Sequence, residues 1–220
     1  MALSKVGNCA TNTDNTGEEL KAAVDKCLSI SAVGDCTAGP RGPIEYWDTS
    51  VVNDMSSLFR GAKAFNTDIS KWDVSAVTDM HTMFERATAF NTNIAKWDVS
   101  TVVSMDNMFR GATSFNGDIS NWVMSSVSTT NSMFRDATSF NSDISKWDLP
   151  KVANMASMFN GAKTFNADIS NWDVSRVTDM RRMFYAASSF SQKLSGAWST
   201  SRADKHAMFT GTKGAYIVGY

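Results

Sequence analysis

The chain has 220 residues, 43% of them apolar, enough for one large domain or two small ones with a real core. Its 21 basic residues nearly cancel 22 acidic ones, leaving a formal charge of −1, which argues against a nucleic-acid binder with a basic face and against a polybasic membrane-surface protein. No run approaches the roughly 18 apolar residues a membrane helix requires, and 3 prolines with 13 glycines exclude a collagen-like or low-complexity chain.

Residues 1–16 read as an N-terminal arm; Met1-Ala-Leu-Ser-Lys lacks an apolar signal-peptide region. Residues 17–42 read as an N-terminal cap. Within it, a helix is predicted over about 18–29, because Leu20, Val24, Cys27 and Leu28 share one helical side. Asn15 or Thr16 would open it, and Glu18 and Glu19 suit its first turn. All three cysteines, Cys9, Cys27 and Cys36, lie in this region. A Cys27–Cys36 disulfide would close a short loop and fix the cap, but buried or free thiols in a reducing compartment fit the same spacing. No Cys-x-x-Cys and no Cys/His quartet occurs, which disfavours zinc.

From Pro43 to Phe190 the chain repeats without insertion, at the constant step that separates Trp47 from Trp72. Trp47, Trp72, Trp97, Trp122, Trp147 and Trp172 form one column; Phe59 to Phe209 and Phe65 to Phe190 form two more; Ile44 to Ile169 form a fourth, closed by Leu194. Trp198 sits one place late. Within one unit, Trp72 and Val74 alternate with Lys71, Asp73 and Ser75, the period of a short strand with one buried face. Val77, Met80, Met83, Phe84 and Ala87 form a helical stripe. Before it stand helix-capping residues, unit by unit Asp54, Asp79, Ser104, Thr129, Asn154 and Asp179. Gly61, Gly111, Gly161 and Gly211 fall where such a helix would stop. The expectation is an α/β solenoid over residues 43–211 of about seven strand–helix units, with a parallel sheet on one side and short helices on the other. Stacking at about 4.8 Å would make it roughly 30–35 Å long. Methionines would fill the gaps between stacked rings. Residues 212–220, apolar and β-forming, read as a C-terminal cap or docking tail.

The unit seen most fully from Phe165 to Phe184, F-N-x-D-I-S-x-W-D-V-S-x-V-T-D-M-x-x-M-F, resembles the 25-residue repeat of the DUF285 family, related to BspA-type leucine-rich-repeat surface proteins. The spacing of Ile69, Trp72 and Val74 is similar to the leucine-rich-repeat strand, and the resemblance covers roughly Gly42 to Gly211. It implies a leucine-rich-repeat-like fold, a leading helix before Gly42-Pro43-Ile44, and a surface or secreted setting with an adhesive or protein-binding role. Val123, Thr130 and Pro150 depart from the pattern.

Asp48, Asp73, Asp98, Asp148 and Asp173 would line the sheet face beside Lys71, Lys96 and Lys146. Carboxylates about 5 Å apart repel, so neighbouring lysines or local backbone donors must offset them; a paired-acid hydrolase is disfavoured because every pair has the same surroundings. Asn66, Asn91, Asn116, Asn141 and Asn166 read as a ladder satisfying loop backbone. His81 and His206 read as solvent-facing, and no nucleotide or nucleophile motif occurs. The expected function is therefore non-enzymatic, with no cofactor, no metal and no nucleic acid. A protein or glycan partner would be held on a face bearing Lys71, Asp73, Lys96, Asp98, Lys146, Asp148, Asp173 and Arg176. The alternatives are a structural subunit of a larger multiprotein assembly and a calcium-binding solenoid. An extracellular or cell-surface location follows from the resemblance and the clustered cysteines.

Overall fold

The computed structural model describes residues 17–39 and 41–219; the predicted arm at 1–16, including Cys9, lies outside them. Helix α1 spans Glu18–Ile30 and buries Leu20, Val24 and Cys27, with the acidic pair Glu18 and Glu19 in its first turn, where the helix dipole favours negative charge. Gly17 occupies the capping position, with φ 81° and no side-chain cap. Cys27 and Cys36 are joined by a disulfide.

Beyond a short 3₁₀ turn at Ile44–Tyr46, the chain forms seven layers, one per repeat, each joined to the next by a parallel bridge. The bridging residues are Asp54, Asp79, Ser104, Thr129, Asn154, Asp179 and Asp204. The first six are the positions that the sequence pattern marks as helix caps. A strand followed by a helix was expected in every layer, and the backbone differs on both counts. The segment around Trp72 is a pair of turns closed by Trp72 N–H to Ile69 C=O and Val77 N–H to Val74 C=O. The segment from Met80 to Phe90 is a run of turns, with Met83, Glu85, Ala87 and Phe90 each donating to the carbonyl three residues back. The intervening amides leave the layer: Met80, Thr82, Phe84 and Arg86 donate to Ser104, Asp106, Met108 and Arg110 of the next one at 2.7–3.0 Å. A helix would keep all of these bonds to itself. Alternation between turn and neighbour requires left-handed backbone at every fourth residue, seen as φ 54° at Thr82 and 59° at Arg86. Each such non-glycine position costs about 1–2 kcal/mol, and the four interlayer bonds offset it.

Among the described residues the two strands are β1, Lys193–Leu194, and β2, Tyr216–Ile217, paired in parallel at the seventh layer. Between them, helix α2, Ala197–Thr200, absorbs the extra residue before Trp198. That indole still donates to Ile169 C=O at 3.2 Å, continuing the series in which Trp72, Trp97, Trp122, Trp147 and Trp172 donate to Ile44, Ile69, Ile94, Ile119 and Ile144.

The core is built of columns. Phe59, Phe84, Phe109, Phe134, Phe159 and Phe184 are fully buried, and their rings, with Phe209, step 5.4–5.8 Å from layer to layer, nearly parallel. The Phe65 column stacks beside it at 3.8–4.0 Å within each layer. These ring steps exceed the strand spacing expected for a sheet. Thr130, standing where other layers have Met, is fully buried and turns its hydroxyl to Asn154 C=O at 3.4 Å.

The glycine column alternates for a steric reason. A Cβ placed on Gly161 would lie 2.4 Å from Asp136 Oδ1, and φ there is already 72°. Bulky residues at this column thus fold over a glycine in the adjoining layer. Gly161→Ala is expected to destabilise by about 1–3 kcal/mol, and the loss should shrink in a D136G background; a double-mutant cycle by urea denaturation checks it. Phe134→Ala, which opens the middle of the stack, should cost about 3–5 kcal/mol in the same assay.

Candidate functional site

The eight residues predicted to form a binding face are all exposed. They sit on the turns around the tryptophans, so they line a turn face rather than a strand face. The side chains beneath them are fixed: the tryptophans are at most 7% exposed and hydrogen-bonded to carbonyls, six of them to the layer before. The aspartates are held locally. Asp48, Asp73, Asp98 and Asp173 each accept from the amide two residues on, at Ser50, Ser75, Ser100 and Ser175, at 2.9–3.0 Å. Pro150 stands at that place after Asp148 and has no amide to give.

Bonds from the following serine hold Asp48, Asp98 and Asp173 below the usual carboxylate range. Local donors thus offset the repulsion, and among the described residues no ion pair joins Lys71, Lys96 or Lys146 to these aspartates. Lys71 instead lies 4.8 Å over the Tyr46 ring, which is 54% exposed. Arg176, at the last full repeat, borders a hollow of about 340 Å³ with Arg202 on its other wall.

The asparagine column forms a ladder: Asn66, Asn91, Asn116 and Asn141 side chains accept from the amides of Asn91, Asn116, Asn141 and Asn166, at 2.7–2.8 Å. Asp68, Asp118, Asp143 and Asp168 accept from Ser70, Ser120, Ser145 and Ser170 at 2.8–2.9 Å, and the same bonds depress their carboxyls. Among the described residues, no group of three or more His, Cys, Asp and Glu side chains is placed to hold a metal. His81 and His206 are exposed, and their amides donate to Asp79 and Asp204.

One charged cluster has no counterpart in the sequence reading. Glu85 is 3% exposed, and its carboxylate meets Arg60 Nε of the preceding layer at 2.8 Å and Arg110 Nη1 of the next at 3.7 Å. The signal was present as Arg60, Glu85 and Arg110 at successive repeat steps, legible only once side chains at one repeat position are read as vertical neighbours.

A family model described as Mycoplasma protein of unknown function, DUF285, matches residues 30–141 and 118–216, together most of the chain. The chain belongs to the DUF285 family. No curated protein and no solved structure matches it. The first DUF285 match begins at the last residue of α1, so most of that helix precedes the matched region. Among the described residues no helix is long and apolar enough to cross a membrane.

The depressed carboxyls set a sign for acid stability. A carboxyl whose folded value lies below its ordinary one contributes stability above that ordinary value, about 3.8 here, and loses it as pH falls further through the folded value. The thermal midpoint of this DUF285 chain should therefore hold from pH 6 to about 4 and fall steadily below it, as differential scanning calorimetry at low ionic strength would record.

Proposed function

We propose that the chain is a non-enzymatic binding module: a leucine-rich-repeat-like solenoid whose layered turn face holds a protein or glycan partner. The observation that carries this reading is the exposure of a regular Lys/Asp array above a backbone and tryptophan column that are fully pinned. Lys71, Lys96, Lys146 and Asp73, Asp98, Asp173 recur in register with the repeat, so the spacing of their backbone positions is fixed by the layers beneath and little backbone ordering remains to be done on binding. Broad rigid surfaces of this kind suit recognition better than chemistry. The Cys27–Cys36 disulfide supports an oxidising compartment, in keeping with an extracellular or cell-surface setting.

The reading is tested with the triple variant K71E/K96E/K146E. All three side chains are exposed, so its thermal midpoint should stay within about 2 °C of the parent, as surface substitutions generally do. Binding to isolated cell-surface extracts, measured by surface capture against the parent, should drop at least about tenfold through lost charge complementarity. Parent and variant binding alike would remove the face from the account.

A further inference from the structure

On the turns that carry the interlayer bonds, a hollow of about 490 Å³ opens between Arg135 and Arg182, and among the described residues no acidic side chain lines it. Its origin is Ala156. Asn131 and Arg181 stand at the same repeat position in the layers on either side, and His206 stands one layer further. A methyl group among longer side chains leaves a recess, and all four residues line it. In the adjacent column come Ser132, Ser157 and Arg182, the left-handed corners of successive layers with φ 56°, 57° and 55°. The backbone that sets the layers therefore also sets these three positions.

The hydroxyls of that column behave differently at the hollow. In the first layers Ser57 Oγ and Thr82 Oγ1 serve each other at 2.7 Å. Ser132 is just as enclosed, at 6% exposed, yet among the described residues its hydroxyl has no hydrogen-bond partner, and neither has that of Ser157. Buried hydroxyls are normally bonded, so the open side of Ser132 marks a place for an acceptor.

The arginines differ in what they already hold. Arg181 is clamped by Asp179, its Nε and Nη2 donating at 3.0 and 2.6 Å, with Asp204 at 3.7 Å. Its charge is spent, and it serves as a wall. Arg135 Nε is buried without a hydrogen-bond partner, and Asp136 Oδ2 approaches it to 3.5 Å without bonding. Arg182 has no ion pair among the described residues. Its guanidinium lies 5.9 Å from the centre of the Tyr185 ring, a contact that steadies the charge without cancelling it.

A guanidinium free of carboxylates beside two unpaired hydroxyls is a donor set for a tetrahedral oxyanion, whose oxygens suit the planar fork. The volume is more than a bare ion needs and falls within the roughly 300–1,000 Å³ of small-ligand sites. An extended peptide fits poorly, because the lining main chain is already used. The amides of Ser132, Ser157 and Arg182 donate to Ala156, Arg181 and His206, and those of Asn131, Ala156 and Arg181 donate to Asp106, Asn154 and Asp179 side chains. No free edge is left for strand addition. Side-chain donors remain, and they suit a ligand rich in hydroxyls.

We propose that this hollow binds a sugar carrying a sulfate or phosphate monoester. The ester group meets Arg182 and the hydroxyls of Ser132 and Ser157, Arg135 adds positive charge, and the sugar's own hydroxyls meet Asn131 and His206. None of these residues belongs to the Lys/Asp array around the tryptophans, so the site stands independently of the partner-face reading.

The test is isothermal titration calorimetry of the full chain with glucose 6-phosphate and N-acetylglucosamine 6-sulfate, beside glucose, inorganic phosphate, inorganic sulfate and a phosphoserine peptide. One ester or both should bind at least about tenfold more tightly than glucose, the inorganic anions or the peptide, and their order tells a phosphate source from a sulfate one. Arg182→Ala should weaken ester binding at least about tenfold through the lost charge-assisted bonds. Ala156→Gln should do the same by filling the recess, with a side chain no longer than Arg181 at the same repeat position. Ser132→Ala should weaken it about threefold and leave the thermal midpoint no lower, since it removes a hydroxyl without a partner. Lys163→Ala, an exposed charge outside the hollow, should stay within about twofold of the parent. Unchanged circular dichroism confirms that each variant is folded. The proposal is overturned if neither ester binds by about 10 mM, if binding survives Ala156→Gln, or if Lys163→Ala costs as much as Arg182→Ala. Inorganic anions that bind as tightly as the esters would make this an ion site and overturn it too. A phosphoserine peptide that binds more tightly than both esters would do so by assigning the hollow to a phosphoprotein.

Discussion

This fold rests on a choice made by alternate amides between their own layer and the next. An isolated repeat unit has no neighbour, and left-handed backbone at one or two non-glycine positions would be a net cost to it. Stacked, the same backbone gains four interlayer bonds per layer, and the rings of each column gain partners on both faces. Stability is accordingly a property of adjacent pairs of layers more than of any layer alone.

The side chains follow from that geometry. Because each position of one unit lies over the same position of the next, every column meets a uniform requirement: flat rings at Phe59 and Phe65, a donor at Trp72, an amide oxygen at Asn66. Columns also solve local problems jointly. Asp106 accepts from Thr129 Oγ1 and Asn131 N–H at 2.6 and 2.7 Å, filling a role that Asp79 and Asp179 perform within their own layers. The Arg60–Glu85–Arg110 stack is the same device applied to charge: removing one member would leave a buried carboxylate or two like charges in line.

The period, the columns, the leading helix and the exposure of the Lys/Asp array were legible in the sequence, because each is a matter of spacing and polarity. The backbone within a layer was not. Val77, Met80, Met83, Phe84 and Ala87 satisfy a helical stripe, and Asp79 makes a good helix cap; its carboxylate does accept an amide two residues on, at His81. What periodicity cannot report is where the remaining amides go, since their acceptors lie almost a full repeat further along the chain, as Ser104 does from Met80. The glycine column held the missing clue: Gly61, Gly111, Gly161 and Gly211 are not stops but the left-handed corners of turns, occupied by Arg86, Asp136 and Ala186 in the layers between.

The indole bonds point the opposite way from the amide ladder, each tryptophan reaching back to an isoleucine one layer earlier. Any interior layer thus gives and takes the same backbone and indole bonds on both sides, and inserting or deleting a pair of repeat units keeps these bonds and the alternation of the glycine column. Length becomes adjustable in steps of two layers for this chain, whereas a one-residue slip needs a dedicated detour such as the short helix that returns Trp198 to its place.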